Sequence, residues 1–286
     1  MDHRARLVKR AATASVVVAV VLLVSKLVAW WYSDSVSVLS SLLDSLMDIA
    51  ASGVNFIAIR YALMPADEDH PFGHSKAEGL AALVQSAFIT GSAVALLLQV
   101  VDRLANPQPL QAIPLSLAVM GFSLLLTVAL VQYQRWVVRQ TQSLAVKADS
   151  AHYVSDILAN LAVLVALLAT AAGWYWLDPV VALAIVALLL HSVLGIVRSA
   201  LQVLMDQALP EQDAAELDRI IQSVEGVQGY HKLRTRQAGA VQFIQLHLDL
   251  DGGQSLSSAH AIGDEVERRI LAHFPRAEIL IHHDPV

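Results

Sequence analysis

The chain has 286 residues, 56% of them hydrophobic and only 15% charged, and a mean hydropathy of +0.56. An average soluble domain is about 25% charged, so a chain this apolar is neither disordered nor soluble throughout. The net charge of −6 excludes a general nucleic-acid binder, and the absence of cysteine excludes disulfides and thiolate metal sites, leaving His, Asp and Glu as metal ligands.

The charge is uneven. Residues 1–208 carry 12 Lys and Arg with 13 Asp and Glu, whereas residues 209–286 carry 7 and 12 in a much shorter stretch. This contrast predicts a membrane domain over 1–208 and a soluble domain over 209–286. Six apolar stretches reach the roughly 20 residues that a helix needs to cross a bilayer. They are Ala11–Trp31, Val38–Leu63, Gly79–Val101, Ile113–Gln134, Leu144–Trp174 and Pro179–Leu201. The first is too long for a signal-peptide core and ends in Trp30, Trp31 and Tyr32 rather than at a small-residue cleavage site. These aromatics, and Trp174, Tyr175 and Trp176, suit a membrane interface.

Basic residues cluster on one side of these spans: Arg4, Arg6, Lys9 and Arg10, then Arg60 and Lys76, then Arg135, Arg139 and Lys147, then Arg198. Arg103 alone marks the other side. The positive-inside rule therefore predicts cytoplasmic termini.

The second span contains Asp44 and Asp48, and the fifth contains His152 and Asp156. Residues four apart share a helix face. An ionisable side chain inside a membrane costs at least about 2.5–3.5 kcal/mol and is functional by default. Pairing with Lys26 or Lys147 would explain one aspartate but handles two such pairs poorly. Three carboxylates and one imidazole suit tetrahedral zinc. They exclude a dedicated calcium cage of about 6–8 oxygens, and admit ferrous iron, manganese and cadmium.

The loop after the second span holds Asp67, His70 and His74, either a second metal site or a solvated acidic loop. The tail opens with a helical pattern after Pro210, with Leu217, Ile220, Ile221 and Val224 on one face. Two strands follow, Tyr230–Thr235 and Val241–Leu250, then a helix over Ser258–Phe274 capped by Ser257, then a strand over Ala277–His282. This α-β-β-α-β order predicts an α+β sandwich with its helices on one sheet face. His231, His247, His260, His282 and Asp284 are candidate ligands for one or two ions, or scattered surface residues. Strand alternation lets His282 and Asp284 share a face and sends His283 to the other. His3, His191 and His273 read as a terminal, a helix-bonded and a surface residue.

At these residues the chain resembles the cation diffusion facilitator family, in its bacterial zinc and ferrous-iron efflux branch. The likeness covers nearly the whole chain. The D-x-x-x-D of Asp44 and Asp48 and the H-x-x-x-D of His152 and Asp156 match the family's transport site. Asp67, His70 and His74 match its loop site. His231, His247, His260, His282 and Asp284 match a two-metal site in a metallochaperone-like cytoplasmic domain. Lys76 and Asp206 match a charged pair that locks the membrane helices to that domain near the dimer contact. His283 stands where the branch more often has Gln.

The resemblance implies six transmembrane helices, a homodimer in the cell inner membrane, and export of zinc, cadmium or ferrous iron in exchange for protons. It also implies zinc, or another of these ions, held structurally in the cytoplasmic domain. No Walker motif is present to supply ATP energy, and no H-E-x-x-H to make an intramembrane metalloprotease. A membrane-bound metal sensor that signals through its tail is the competing reading.

Overall fold

The computed structural model describes residues 3–33, 36–105, 114–171, 174 and 177–286. Ile113, Tyr175 and Trp176, and the side chain of Arg103, which entered the span and orientation readings, lie outside what is described.

Six long helices come first: α1 (His3–Ser33), α2 (Val36–Ala62), α3 (Ala77–Ala105), α4 (Pro114–Thr141), α5 (Leu144–Ala171) and α6 (Leu177–Leu204). α1, α2, α3 and α6 include stretches long and apolar enough to cross a membrane. α1, α3 and α6 overrun at both ends the apolar stretches that announce them, whereas α5 ends at Ala171, short of the expected Trp174. α1 has 31 residues and so spans about 46 Å, well beyond a hydrocarbon core of roughly 30 Å. Hydropathy reports only the apolar band, while backbone hydrogen bonding carries the helix on into polar surroundings.

The helices meet through small side chains. Ala11 and Ala12 of α1, Ala81 of α3 and Ala145 of α5 are buried together with Ile59 of α2 and Val137 of α4. Small residues let helix backbones approach closely where lipid removes the hydrophobic drive. A second apolar cluster joins Ala82, Ile89 and Ala93 of α3 to Ala148 of α5 and Ile185 and Leu189 of α6.

The chain divides into two compact units, residues 1–200 and 201–286. The second contains α7 (Glu211–Gln222), β1 (Gly229–Ala238), β2 (Val241–Leu250), α8 (Leu256–His273) and β3 (Ala277–Pro285). The sheet order is β1-β2-β3, with β1 antiparallel and β3 parallel to β2. Ile244, Leu246, Leu248 and Leu250 of β2 face a core completed by Leu217 and Ile221 of α7 and Val266 and Ile270 of α8. The alternate residues, His247 and Asp249 among them, are thereby turned to the face without helices. Ser255, not Ser257, caps α8, its hydroxyl accepting from Ser258 N at 3.2 Å. The cap lies two residues earlier because this helix begins at Leu256, before its apolar stripe does.

Candidate metal centres

The first centre lies within the helical unit. His152 is almost wholly buried, its side chain 2% exposed, between Asp48 at 14% and Asp156 at 25%. Its Nε2 is 3.4 Å from Asp48 Oδ1 and 4.0 Å from Asp156 Oδ2. One ligand atom from each of the three residues lies within 4.8 Å of the other two. Among the described residues neither ring nitrogen of His152 completes a hydrogen bond, nor does Asp156 Oδ2. His152 Nε2 and Asp156 Oδ2, 4.0 Å apart and both unsatisfied, are what a cation between them would satisfy, because buried polar atoms otherwise find partners. Asp44 is exposed and is not in this group. It lies a full turn, about 5.4 Å, along α2 from Asp48. Lys26 of α1 donates to Ser41 O, three residues before Asp44, at 3.1 Å.

The second centre is the loop between α2 and α3. His74 is buried, with its Nδ1 3.1 Å from Pro65 O and its Nε2 3.3 Å from Asp67 Oδ2. A hydrogen bond from Nδ1–H to a carbonyl leaves Nε2 as the free lone pair, which is how proteins orient a metal-ligating imidazole. His70 adds its Nδ1 3.3 Å from Asp67 Oδ1, and its backbone N–H donates to the same oxygen at 2.7 Å. That backbone bond, with smaller help from both imidazoles, holds the Asp67 carboxyl below its usual range. Gly73, at a φ of 76°, makes the turn that returns His74 to Asp67.

The third centre is the open face of the sheet. His231 pairs with His247 across β1–β2, and His247 pairs with His282 across β2–β3, so three imidazoles stand on one rung. Asp284 lies two residues beyond His282 on the same face. Its Oδ2 is 2.7 Å from His247 Nδ1 and 3.2 Å from His231 Nε2, and its Oδ1 is 3.1 Å from His282 Nε2. The hydrogen bond from His247, then the neighbouring imidazoles, hold the Asp284 carboxyl below its usual range. Asp249, which sequence reasoning passed over, lies on the same face with its Oδ1 2.9 Å from His231 Nδ1. It directs the other nitrogen of His231 toward Asp284. Strand alternation carried that signal, since Asp249 is two residues from His247.

His260 does not join this group within the chain. It lies exposed on α8, its Nε2 3.7 Å from Asp264. His283 turns to the helix side, where its Nε2 would be 2.2 Å from a Cβ added at Gly263, so α8 needs a glycine there. Asp206, in the second unit, accepts from Arg236 Nη1 at 3.3 Å.

Two buried acids outside these centres were also missed. Asp149, three residues before His152, and Glu78, at the start of α3, are both almost fully enclosed. Only the partners that tertiary structure brings distinguish them from surface carboxylates at helix ends.

Comparison with known proteins follows the same division. The cation efflux transmembrane domain matches residues 12–205, and the cation efflux protein cytoplasmic domain matches residues 209–286. The chain is similar to the cation-efflux pump FieF of Klebsiella pneumoniae, 49% identical over 280 residues, covering 98% of this chain and 93% of that protein. It is likewise similar to FieF of Yersinia enterocolitica, 50% identical over 281 residues, covering 98% and 94%. Among solved structures, the metal-bound C-terminal domain of the CzcD transporter from Thermotoga maritima matches 26% of this chain and 87% of that chain, at 23% identity and a TM-score of 0.25.

Proposed function

The chain belongs to the cation efflux, or cation diffusion facilitator, family of divalent-metal efflux transporters, and from that premise we propose that it exports zinc in exchange for protons. It is an integral membrane transporter and not an enzyme. The observation that carries the mechanism is the placement of His152 between Asp48 and Asp156, buried and, among the described residues, without completed hydrogen bonds. A metal ion entering this trio draws in Asp44 from the next turn of α2 as fourth ligand. Zinc suits that set of one nitrogen and three oxygens. Cadmium and ferrous iron are the other candidates, because affinity alone separates such metals poorly.

Proton coupling follows from ligand chemistry. Imidazole and carboxylates bind metal only when deprotonated, so protons and zinc compete for the same atoms. Alternating access, by rocking the helices that carry the site, then exchanges metal outward for protons inward. In this reading all six helices span the cell inner membrane with both termini cytoplasmic, and the membrane domain ends near residue 208. The cytoplasmic domain pairs two copies of the chain into a homodimer. Its open sheet face, with His231, His247, His282 and Asp284, holds structural zinc, and His260 joins from outside the single-chain cluster. Asp67, His70 and His74 hold a further ion. A sensor would need only the tail. The intramembrane trio and family membership favour transport.

The deciding experiment is metal flux in proteoliposomes under an imposed pH gradient, run across zinc, cadmium, ferrous iron and manganese. Zinc movement driven by the gradient, with opposing proton movement, is the expected result. Flux indifferent to the gradient would leave a uniporter.

A further inference from the structure

Two side chains of α5 bracket His152 and tie it to four other helices. Asp149, three residues before it, is 1% exposed. Its carboxylate accepts from the Ser15 hydroxyl of α1, from Gln134 Nε2 of α4 at 2.7 Å and from Gln85 Nε2 of α3 at 3.0 Å. Tyr153, the residue after His152, is equally buried. Its hydroxyl donates to Ser15 O at 3.1 Å and lies 2.7 Å from Ser52 Oγ of α2, one turn beyond Asp48. Ser15 thus meets both residues, through its hydroxyl and its carbonyl.

These partners are all uncharged. A carboxylate buried among helices is costly, and this one is met by donors alone, as an acceptor-only group requires. Among the described residues His152 has no comparable hydrogen-bonded anchor, so its position follows the backbone of α5. A rotation of that helix by about 10° would move a side-chain atom roughly 6 Å from the axis by about 1 Å. A preorganised site tolerates roughly 0.5 Å.

We infer that Asp149 and Tyr153 are positioning residues of the transport site, fixing the rotation and level of α5 so that His152 meets Asp48. The inference rests on the reading of Asp48, His152 and Asp156 as transport ligands. Asp149→Asn replaces one of the two accepting oxygens by an amide donor, set against the donating amide of either Gln85 or Gln134, and so breaks one arm of the hub without changing side-chain size. Tyr153→Phe removes one hydroxyl and keeps the ring.

The test is zinc flux in proteoliposomes as a function of zinc concentration, for the full-length wild type, Asp149→Asn, Tyr153→Phe and Asp48→Ala. Loss of a group that orients a metal ligand typically weakens metal affinity by about 10–100-fold. Asp149→Asn is therefore expected to raise the KM for zinc about tenfold, and Tyr153→Phe by a smaller factor in the same direction. A purely structural defect would instead lower maximal flux per molecule and leave KM alone. Wild-type KM in Tyr153→Phe together with wild-type KM, or only reduced maximal flux, in Asp149→Asn overturns the inference. Should Asp149→Asn fail to insert, Tyr153→Phe decides by the same criterion. Wild-type flux in Asp48→Ala would remove the transport reading itself. An inactive Asp48→Ala beside wild-type KM in both hub variants overturns the positioning role alone.

Discussion

Asp284 on β3 accepts a hydrogen bond from His247 on β2 at 2.7 Å, and through the same oxygen it meets His231 on β1. One carboxylate therefore gathers imidazoles from all three strands. Asp284→Asn keeps the shape but removes the charge that collects them. In a full-length background with Asp48→Ala and His74→Ala, it should weaken zinc binding at pH 7 by at least about tenfold. Equilibrium dialysis against a zinc buffer measures this directly, and unchanged binding would remove the sheet face as a metal site.

The same carboxylate sets an acid limit. Its folded-state pKa is depressed, chiefly by the His247 hydrogen bond. A depressed carboxylate contributes stability above its unfolded value of about 3.9 and loses it as pH falls through the lower folded value. In chelator, wild type and Asp284→Asn should therefore differ in cytoplasmic-domain melting at about pH 5. The gap should close below about 4. A gap that widens in acid would contradict the assignment.

Much of this arrangement was legible in the sequence, for definite reasons. Alternation along β3 put His282 with Asp284 and sent His283 away, because period two survives any tertiary context. Helix period put Asp44 with Asp48 on one face, yet only Asp48 reaches His152 in the single chain. A shared face is not a shared point, and a full turn separates the two. His260 was unreachable for a different reason: its place on α8, against β3, depends on packing that no local pattern encodes. Asp149 and Glu78 were overlooked because a carboxylate near a helix end looks solvated until its partners, more than 60 residues away for Glu78, are known.

Glu78 illustrates the energetic side. Its Oε1 is 3.0 Å from Arg4 Nη2, while its Oε2 accepts from Ser143 Oγ at 2.7 Å and Leu144 N at 3.0 Å, capping α5. Arg4 in turn donates to Thr141 O. With side chains only 10% and 5% exposed, the pair is a buried one. Breaking such a pair from one side costs about 3–5 kcal/mol, whereas replacing both partners by apolar residues costs far less. Glu78→Gln should melt well below wild type in detergent, and Arg4→Met with Glu78→Met should recover much of the loss. Equal melting of all three would show that the pair holds nothing.

At the proposed transport site, Asp48→Ala removes the carboxylate nearest His152 and should abolish zinc flux while preserving expression and dimer size. Asp44→Ala should weaken flux less severely, since Asp44 stands outside the trio before metal arrives. Flux assays on the two variants side by side separate a three-ligand core from a four-ligand one. Wild-type flux in Asp48→Ala would sink the site.

Selectivity should follow the single nitrogen. Imidazole favours zinc and iron over harder cations, and carboxylates favour manganese. His152→Asp gives an all-oxygen site and should shift preference toward manganese in competition flux assays. An unchanged order would take His152 out of the selectivity argument.

Proton coupling makes the strictest demand. A proton on His152 or on a carboxyl of the trio occupies a lone pair that the metal needs. Zinc must displace whatever proton is there, because lone pairs that hold a proton cannot ligate metal. Zinc affinity should therefore fall as the pH is lowered. Zinc added to purified transporter in weak buffer should release protons. The loop and the sheet face would release protons as well, so the measurement belongs in a variant lacking His70, His74, His231 and His282. There, zinc uptake into vesicles should run with an opposing proton movement, read by an internal pH dye. If zinc affinity in that variant ignores pH, and uptake moves no protons, then metal passes through the trio without exchange and antiport fails, whatever the loop and tail sites do.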